Sequence, residues 1–226
     1  MASHRNRDRL GAFLLFTIYQ GDVLASSMWL TGQASNVLIA KFALDTTHIE
    51  ISYGRWILGA IVPAAVLFVL IPLVLYRLYP PAIKHTPDAA RIAKEDGITS
   101  KFAEYSASLT VGWNWGAALA ALVLIYFYAH YGFASITAHA TVMFTPFLMV
   151  VLAAGAPPLL AVLLMAYFSN LSACLTHYGT TPAPIYFGSR YITQRDWWFY
   201  GLIASFMSIG VYSTIGLAWW KLLGWW

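Results

Sequence analysis

Three polar patches, each set where an apolar stretch breaks, carry the groups in this sequence that could do chemistry. The longest is Leu175-Thr176-His177-Tyr178-Gly179-Thr180-Thr181-Pro182-Ala183-Pro184-Ile185-Tyr186-Phe187-Gly188. It is rich in Gly and Pro, and a helix is not expected to continue through Pro182 or Pro184. The second, Gly132-Phe133-Ala134-Ser135-Ile136-Thr137-Ala138-His139, joins two apolar runs without a charged residue. The third is Thr31-Gly32-Gln33-Ala34-Ser35-Asn36. Hydroxyls and helix N-terminal amides can hold a carboxylate, and hydroxyl and carbonyl oxygens suit Na⁺. The same groups also bond across packed helices. For the 31–36 patch taken alone, packing is the better reading.

Other chemistries fit poorly. His130 and His139 are nine apart across a helix break, poor geometry for ligands on one helix face. His177 has no Asp or Glu near it, and Ser172 with His177 is not by itself a nucleophile–base arrangement. No HExxH, CxxC or GxSxG element occurs. The expectation is binding rather than catalysis, with no enzyme activity, haem or metal centre. Cys174 is the single cysteine, which excludes an internal disulfide framework.

The elements that must position these patches are membrane helices. Of 226 residues, 60% are hydrophobic and 10% charged, whereas soluble domains carry about 25% charged residues. From Tyr105 to Ser189 there is no Asp, Glu, Lys or Arg. The Trp residues gather near segment ends, as interfacial belts do. The net charge of +4 sits in short loops, so it reports topology and not a nucleic-acid partner.

In chain order, residues 10–30 are long enough to cross, since about 20 residues span the hydrocarbon. Arg5, Arg7 and Arg9 before this run resemble a signal-peptide start, but the poor cleavage site at Ala25-Ser26-Ser27 favours a retained helix. Asp22 is either an intramembrane functional acid or, with Gln20 and Gly21, the mark of a helix end. Residues 37–43 are apolar and 45–50 form a polar turn. Residues 56–76 make a span that Pro63 and Pro72 are expected to kink. Residues 77–101, with Arg77, Lys84, Arg91, Lys94 and Lys101, form a hydrophilic loop that belongs on the cytoplasmic side. Residues 113–131 and 141–154 are apolar arms around the Ser135 joint, either two spans or a re-entrant hairpin with its tip at mid-depth. Gly155-Ala156-Pro157-Pro158 is a break, residues 159–175 lead into the long polar patch, and 197–220 are the last span.

The fold class expected is an all-α integral membrane protein with about five to six hydrophobic segments, broken helices and one re-entrant hairpin. A weak repeat supports it. Thr31-Gly32…Asn36 precedes Arg55-Trp56-Ile57-Leu58-Gly59 and a span, while Thr176…Pro184 precedes Arg195, Trp197-Trp198-Phe199-Tyr200-Gly201 and another span. Interrupted segments at matching places in two halves point to a binding site near the midplane of a transporter. The division expected is 1–79 (end of a first repeat), 80–101 (cytoplasmic linker) and 102–226 (second repeat, with a hairpin tip at 132–139 and an unwound loop at 176–188).

Ser169-Asn170-Leu171…Leu175-Thr176-His177-Tyr178-Gly179-Thr180…Pro182-Ala183-Pro184-Ile185-Tyr186-Phe187-Gly188-Ser189 resembles the C-terminal signature of one branch of the divalent anion–sodium symporter family, the 2-oxoglutarate/malate translocators. That branch includes citrate–succinate and tartrate–succinate exchangers. Phe133-Ala134-Ser135-Ile136-Thr137-Ala138-His139 is similar to its second hairpin tip. Ser26…Leu30-Thr31-Gly32-Gln33-Ala34-Ser35-Asn36 is similar to its first unwound loop, and Leu78-Tyr79-Pro80-Pro81…Ile83-Lys84…Thr86-Pro87 to its cytoplasmic linker.

The resemblance implies a di- or tricarboxylate transporter of inverted repeats, a homodimer working by elevator-like alternating access in a bacterial inner membrane. It implies that Ser135 and Thr137 contact a substrate carboxylate, that Thr176, Gly179, Thr180 and Pro182 form the facing loop, and that Thr31 and Asn36 do so in the first repeat. A Na⁺ site would lie near Ser135, Thr137 and Thr180. Ile136 stands where the symporters' tip has Asn, which favours anion exchange over Na⁺ coupling. The family's first hairpin has no counterpart here, and a second gap falls between Asp96 and Gly97. The alternatives are a non-transporting fragment or one part of a split transporter whose missing helices another chain supplies.

Overall fold

The structure, a computed structural model, describes residues 2–78 and 112–226. The linker expected at 80–101 lies outside the described residues. Within them the chain is helical, with no strand. Helix α1 is Ala2–Met28, α2 Ala34–Thr47, α3 Tyr53–Leu78, α4 Trp115–Ala129 and α5 Ile136–Ala153. Helix α6 is Pro158–Leu171, α7 Ala183–Gly188, α8 Gln194–Val211 and α9 Leu217–Leu222. Short 3₁₀ turns extend α4 (His130–Gly132) and α6 (Ser172–Cys174), and a π turn (Tyr212–Gly216) joins α8 to α9.

Among the described residues four stretches are long and apolar enough to cross a membrane: Tyr53–Leu78, Trp115–Gly132, Ile136–Ala153 and Gln194–Leu222. Pro158–Cys174 is apolar but shorter. This is a multi-pass membrane protein. The two arms around Ser135 are each of spanning length, joined by Phe133, Ala134 and Ser135.

The core of the bundle is α6. Every residue from Leu160 to Leu171 is buried, as expected of a helix that is apolar all round. It packs against α1, α2, α4, α5 and α8. Polar groups fasten it sideways. The Tyr126 hydroxyl donates to Ser169 Oγ at 2.5 Å, and Ser169 passes its own proton to Met165 O at 2.8 Å. On α8, Ser205 donates to Leu202 O and accepts from Tyr128 at 3.1 Å. Glycine makes the closest approach possible: a Cβ on Gly201 would stand 2.5 Å from Cys174 O, so α8 crosses the end of α6 backbone to backbone.

Several local expectations change. α1 runs unbroken through Gln20, Gly21 and Asp22 to Met28, so Asp22 does not mark a helix end. The trio divides by face: Gln20 is buried and Asp22 exposed. Residues 183–188 are helical rather than unwound, because Pro182 sits at the N-cap and Pro184 in the first turn, where the missing N–H costs nothing. α2 continues through Asp45 and Thr47 and stops at His48, which takes a left-handed conformation at φ 57°. Pro63 and Pro72 both lie inside α3, which runs from Tyr53 to Leu78 as the single span expected there.

Candidate functional site

The end of α6 frees carbonyls that a bilayer cannot satisfy, and the neighbouring elements take them up. From α1, the Tyr19 hydroxyl donates to Ala173 O at 2.7 Å, and the Gln20 side-chain amide reaches Cys174 O at 3.5 Å. Thr180 closes the other side: its hydroxyl accepts from Ala183 N at 3.2 Å and lies 3.5 Å from the Tyr19 oxygen. The break is therefore a fixed loop, 175–182, with Thr176, Gly179 and Thr180 buried.

The hairpin joint is brought against this loop. His130 Nε2 lies 3.1 Å from Gly179 O, and the Tyr178 hydroxyl donates to Tyr131 O at 3.0 Å. Ser135 caps α5, its Oγ accepting from Ala138 N, and Ser135 and Thr137 are half-buried. At the loop's outer side Trp198 Nε1 donates to His177 Nδ1 at 3.1 Å. An indole N–H only donates, so that nitrogen carries a lone pair and the His177 ring is neutral. Its partial burial lowers its pKa below the ordinary histidine value, in the same direction.

The first patch is placed differently. Thr31 is exposed and its hydroxyl pairs with Tyr53 at 3.0 Å. Asn36 is fully buried and engaged at both ends of its amide. Its Nδ2 donates to Ser26 O (3.0 Å) and Trp29 O (2.9 Å), and its Oδ1 accepts from Asn170 Nδ2 at 2.7 Å. Asn36 so ties the turn after α1 to the buried helix that ends in the loop. Pro182 serves as the N-cap of α7, and its carbonyl accepts from Ile185 and Tyr186.

His130 and His139 do meet, edge to face with ring centroids 5.2 Å apart. Spacing along one helix could not show this, because the chain reverses between them. Among the described residues no three His, Cys, Asp or Glu side chains gather to hold a metal. The residues that sequence reasoning missed are those that clamp the loop and the end of α6, namely Tyr19, Gln20, His130 and Tyr178, together with Asn170, which holds Asn36. For Asn170 the signal was present, as the residue lies inside the Ser169-Asn170-Leu171 signature.

A small apolar cleft, lined by Ala12, Phe13, Phe16, Leu75, Ile192 and Tyr200, lies elsewhere, between α1, α3 and α8. Its lining carries hydrocarbon and one phenol, with nothing to hold an anion.

Comparison with known proteins places this arrangement. A family model described as the sodium:sulfate symporter transmembrane region matches in two segments, residues 2–99 and 94–226. Dicarboxylate transporter 1, chloroplastic, of Arabidopsis thaliana is 33% identical over 303 residues, covering 96% of this chain and 54% of that protein. The putative malate transporter YflS of Bacillus subtilis is 36% identical over 301 residues, 96% of this chain and 63% of that protein. The inner membrane protein YbhI of Escherichia coli is 26% identical over 302 residues, again 96% and 63%. The chain therefore spans between half and two thirds of the length of these relatives. Alignments of about 300 positions onto 226 residues also mean that the relatives carry internal residues without a counterpart here. The two family matches meet at residues 94–99.

Proposed function

Since the chain belongs to the family of the sodium:sulfate symporter transmembrane region, we propose that it carries di- or tricarboxylate anions of the 2-oxoglutarate, malate, succinate and citrate class across a membrane, by exchange. It acts as a transporter and not as an enzyme. The observation that carries this reading is the loop 175–182. It is a break at the end of the most buried helix, with its backbone satisfied from α1 and from the hairpin joint. Broken helices of this kind present helix-end amides to an anionic substrate and freed carbonyls to a cation. The names of the relatives, dicarboxylate and malate transporters, supply the substrate class.

In this reading the carboxylate is held between Ser135 and Thr137 at the start of α5 and Thr176, Gly179, Thr180 and Pro182 of the loop. Thr31 and Asn36 shape the corresponding part of the first repeat. Exchange needs no bound cofactor; if Na⁺ takes part, the oxygens of Ser135, Thr137 and Thr180 are where it binds. The Lys/Arg-rich residues 80–101 face the cytoplasm of a bacterial inner membrane, and two copies associate as a homodimer.

A second reading has its own support. The two family matches that meet at 94–99, and the relatives' unmatched internal residues, favour a shortened chain. Such a chain binds carboxylate without moving it, or needs another chain for its missing helices.

Thermal unfolding of the purified protein with succinate, malate, 2-oxoglutarate and citrate tests the binding. A ligand at a hundredfold excess over its dissociation constant stabilises by about 2.7 kcal/mol. The expected result is a rise in melting temperature with at least one of the four, abolished in Thr180→Val. A cooperative melt that no carboxylate moves would overturn the substrate assignment.

A further inference from the structure

We propose that His130 is the positioning residue of the loop. By donating Nε2–H to Gly179 O it clasps 176–180 to the hairpin tip and sets where Thr176 and Thr180 stand. The proposal rests on the carboxylate reading only in treating that loop as substrate-facing.

The bond has one polarity. A carbonyl oxygen accepts and never donates, so at 3.1 Å the proton must be on His130 Nε2. Both partners are buried, His130 completely, and they lie 49 residues apart in the chain. Such a contact can join two elements rather than finish one of them.

Gly179 supports the same conclusion. A Cβ there would stand 2.7 Å from His130 Nε2 and 2.8 Å from Thr176 Oγ1. The His130 ring and the Thr176 hydroxyl therefore both crowd position 179, and a side chain there would have to displace one of them. Moving the imidazole releases the Gly179 carbonyl and opens space beside the residue that the Thr176 hydroxyl also crowds.

His130 is itself held in place. The last turn of α4 tightens to 3₁₀, so the His130 backbone N–H bonds Phe127 O and leaves Tyr126 O to other donors. His139, one turn into α5, takes that carbonyl with Nε2 at 3.0 Å. Its ring also stands against Tyr126, Phe133 and His130. One histidine thus sews the two arms of the hairpin together, and the other sews the hairpin to the loop. The Tyr178–Tyr131 bond is a second stitch at the same joint. The hairpin joint and the loop are therefore fastened at two points.

Cys174 is the chain's single cysteine, buried immediately before the loop, so maleimide labelling of Cys174 reports whether the loop is held. The full chain is compared with His130→Gln, which keeps an N–H donor, and His130→Met, which has similar bulk and none. Losing one hydrogen bond should speed labelling about tenfold in H130M, while H130Q stays near the parent rate. Malate should slow labelling of the parent and H130Q, with its half-protecting concentration raised about tenfold in H130M. Parent-like labelling in H130M overturns the proposal, as does failure of Gln to rescue when both variants melt like the parent. If H130M opens the loop but malate protects no form, the clasp stands and the carboxylate reading falls. If malate protects parent and H130M alike, that reading stands and the positioning role falls. A measurement on the unmutated protein decides independently of folding in the variants: ¹⁵N imidazole shifts must show His130 protonated at Nε2, and a proton at Nδ1 instead overturns the clasp.

Discussion

Trp56→Ala is expected to lower the free energy of unfolding by about 4 kcal/mol, within the range for truncating a buried Trp. The Trp56 indole is completely buried and donates to Ser27 O at 2.9 Å, fixing the end of α1 to the start of α3. Its backbone carbonyl accepts from the Tyr167 hydroxyl on α6, and the Trp56 and Tyr167 rings meet edge to face at 5.4 Å. Tyr167 in turn packs on Tyr212 and stacks on Trp220, whose Nε1 donates to Gly59 O at 2.9 Å. In a bilayer the transfer of apolar surface out of water contributes little between helices, so van der Waals packing and interhelical hydrogen bonds carry the association. The Trp56 cluster has both, and it joins the two parts of the chain on either side of residues 79–111. Chemical unfolding in micelles reads the change. A loss below about 1 kcal/mol would mean that the cluster does not hold these parts together.

That cluster also marks the limit of what the sequence makes legible. The breaks could be read directly, because their causes are local. Gly155 has a positive φ and Pro158 opens α6, the Ser135 hydroxyl caps α5, and the polar run after Leu175 cannot pack as helix in lipid. Four spans followed from charge-free length, whereas residues 10–30, which hold Asp22, are not among the candidate spans of the described residues. Contacts across the bundle did not. Nothing local in Gly59 announces that Trp220, 161 residues on, will take its carbonyl. The 31–36 patch showed the same limit. Its polar composition favours packing over ligand binding, but only the partner, Asn170, reveals what Asn36 holds. Pro182 and Pro184 predict an unwound run over 183–188, where the structure has a helix. Yet a proline at the N-cap or in the first turn starts a helix as readily as it ends one.

Asn36→Ala carries the second large expected effect, a loss of about 3 kcal/mol. The asparagine makes three bonds, to Ser26 O, Trp29 O and Asn170, all in the turn that leaves α1 or on the buried helix. Without it the Ser26 carbonyl faces the interior with no side-chain donor, and the Asn170 amide keeps only its bond to Ala166 O. The penalty for an unmade buried bond exceeds the value of the bond itself. The reciprocal change should be milder. Asn170→Ala leaves both bonds donated by Asn36 in place but takes the donor from Asn36 Oδ1 and the bond to Ala166 O, costing about 2 kcal/mol. Melting curves of the two variants under one condition check the order. Equal losses would show that the pair acts as a unit rather than through the turn.

The central claim is that the 175–182 loop, clasped to the hairpin tip, binds a carboxylate that the protein exchanges across the membrane. Its most direct test is counterflow into vesicles containing the purified chain. The account predicts uptake of labelled 2-oxoglutarate or malate when the vesicles are preloaded with unlabelled dicarboxylate. Unloaded vesicles should take up little, and Thr180→Val should lose the effect. No preload-dependent uptake of any of the four carboxylates, from vesicles in which the chain is inserted and melts cooperatively, would contradict exchange by this chain acting alone.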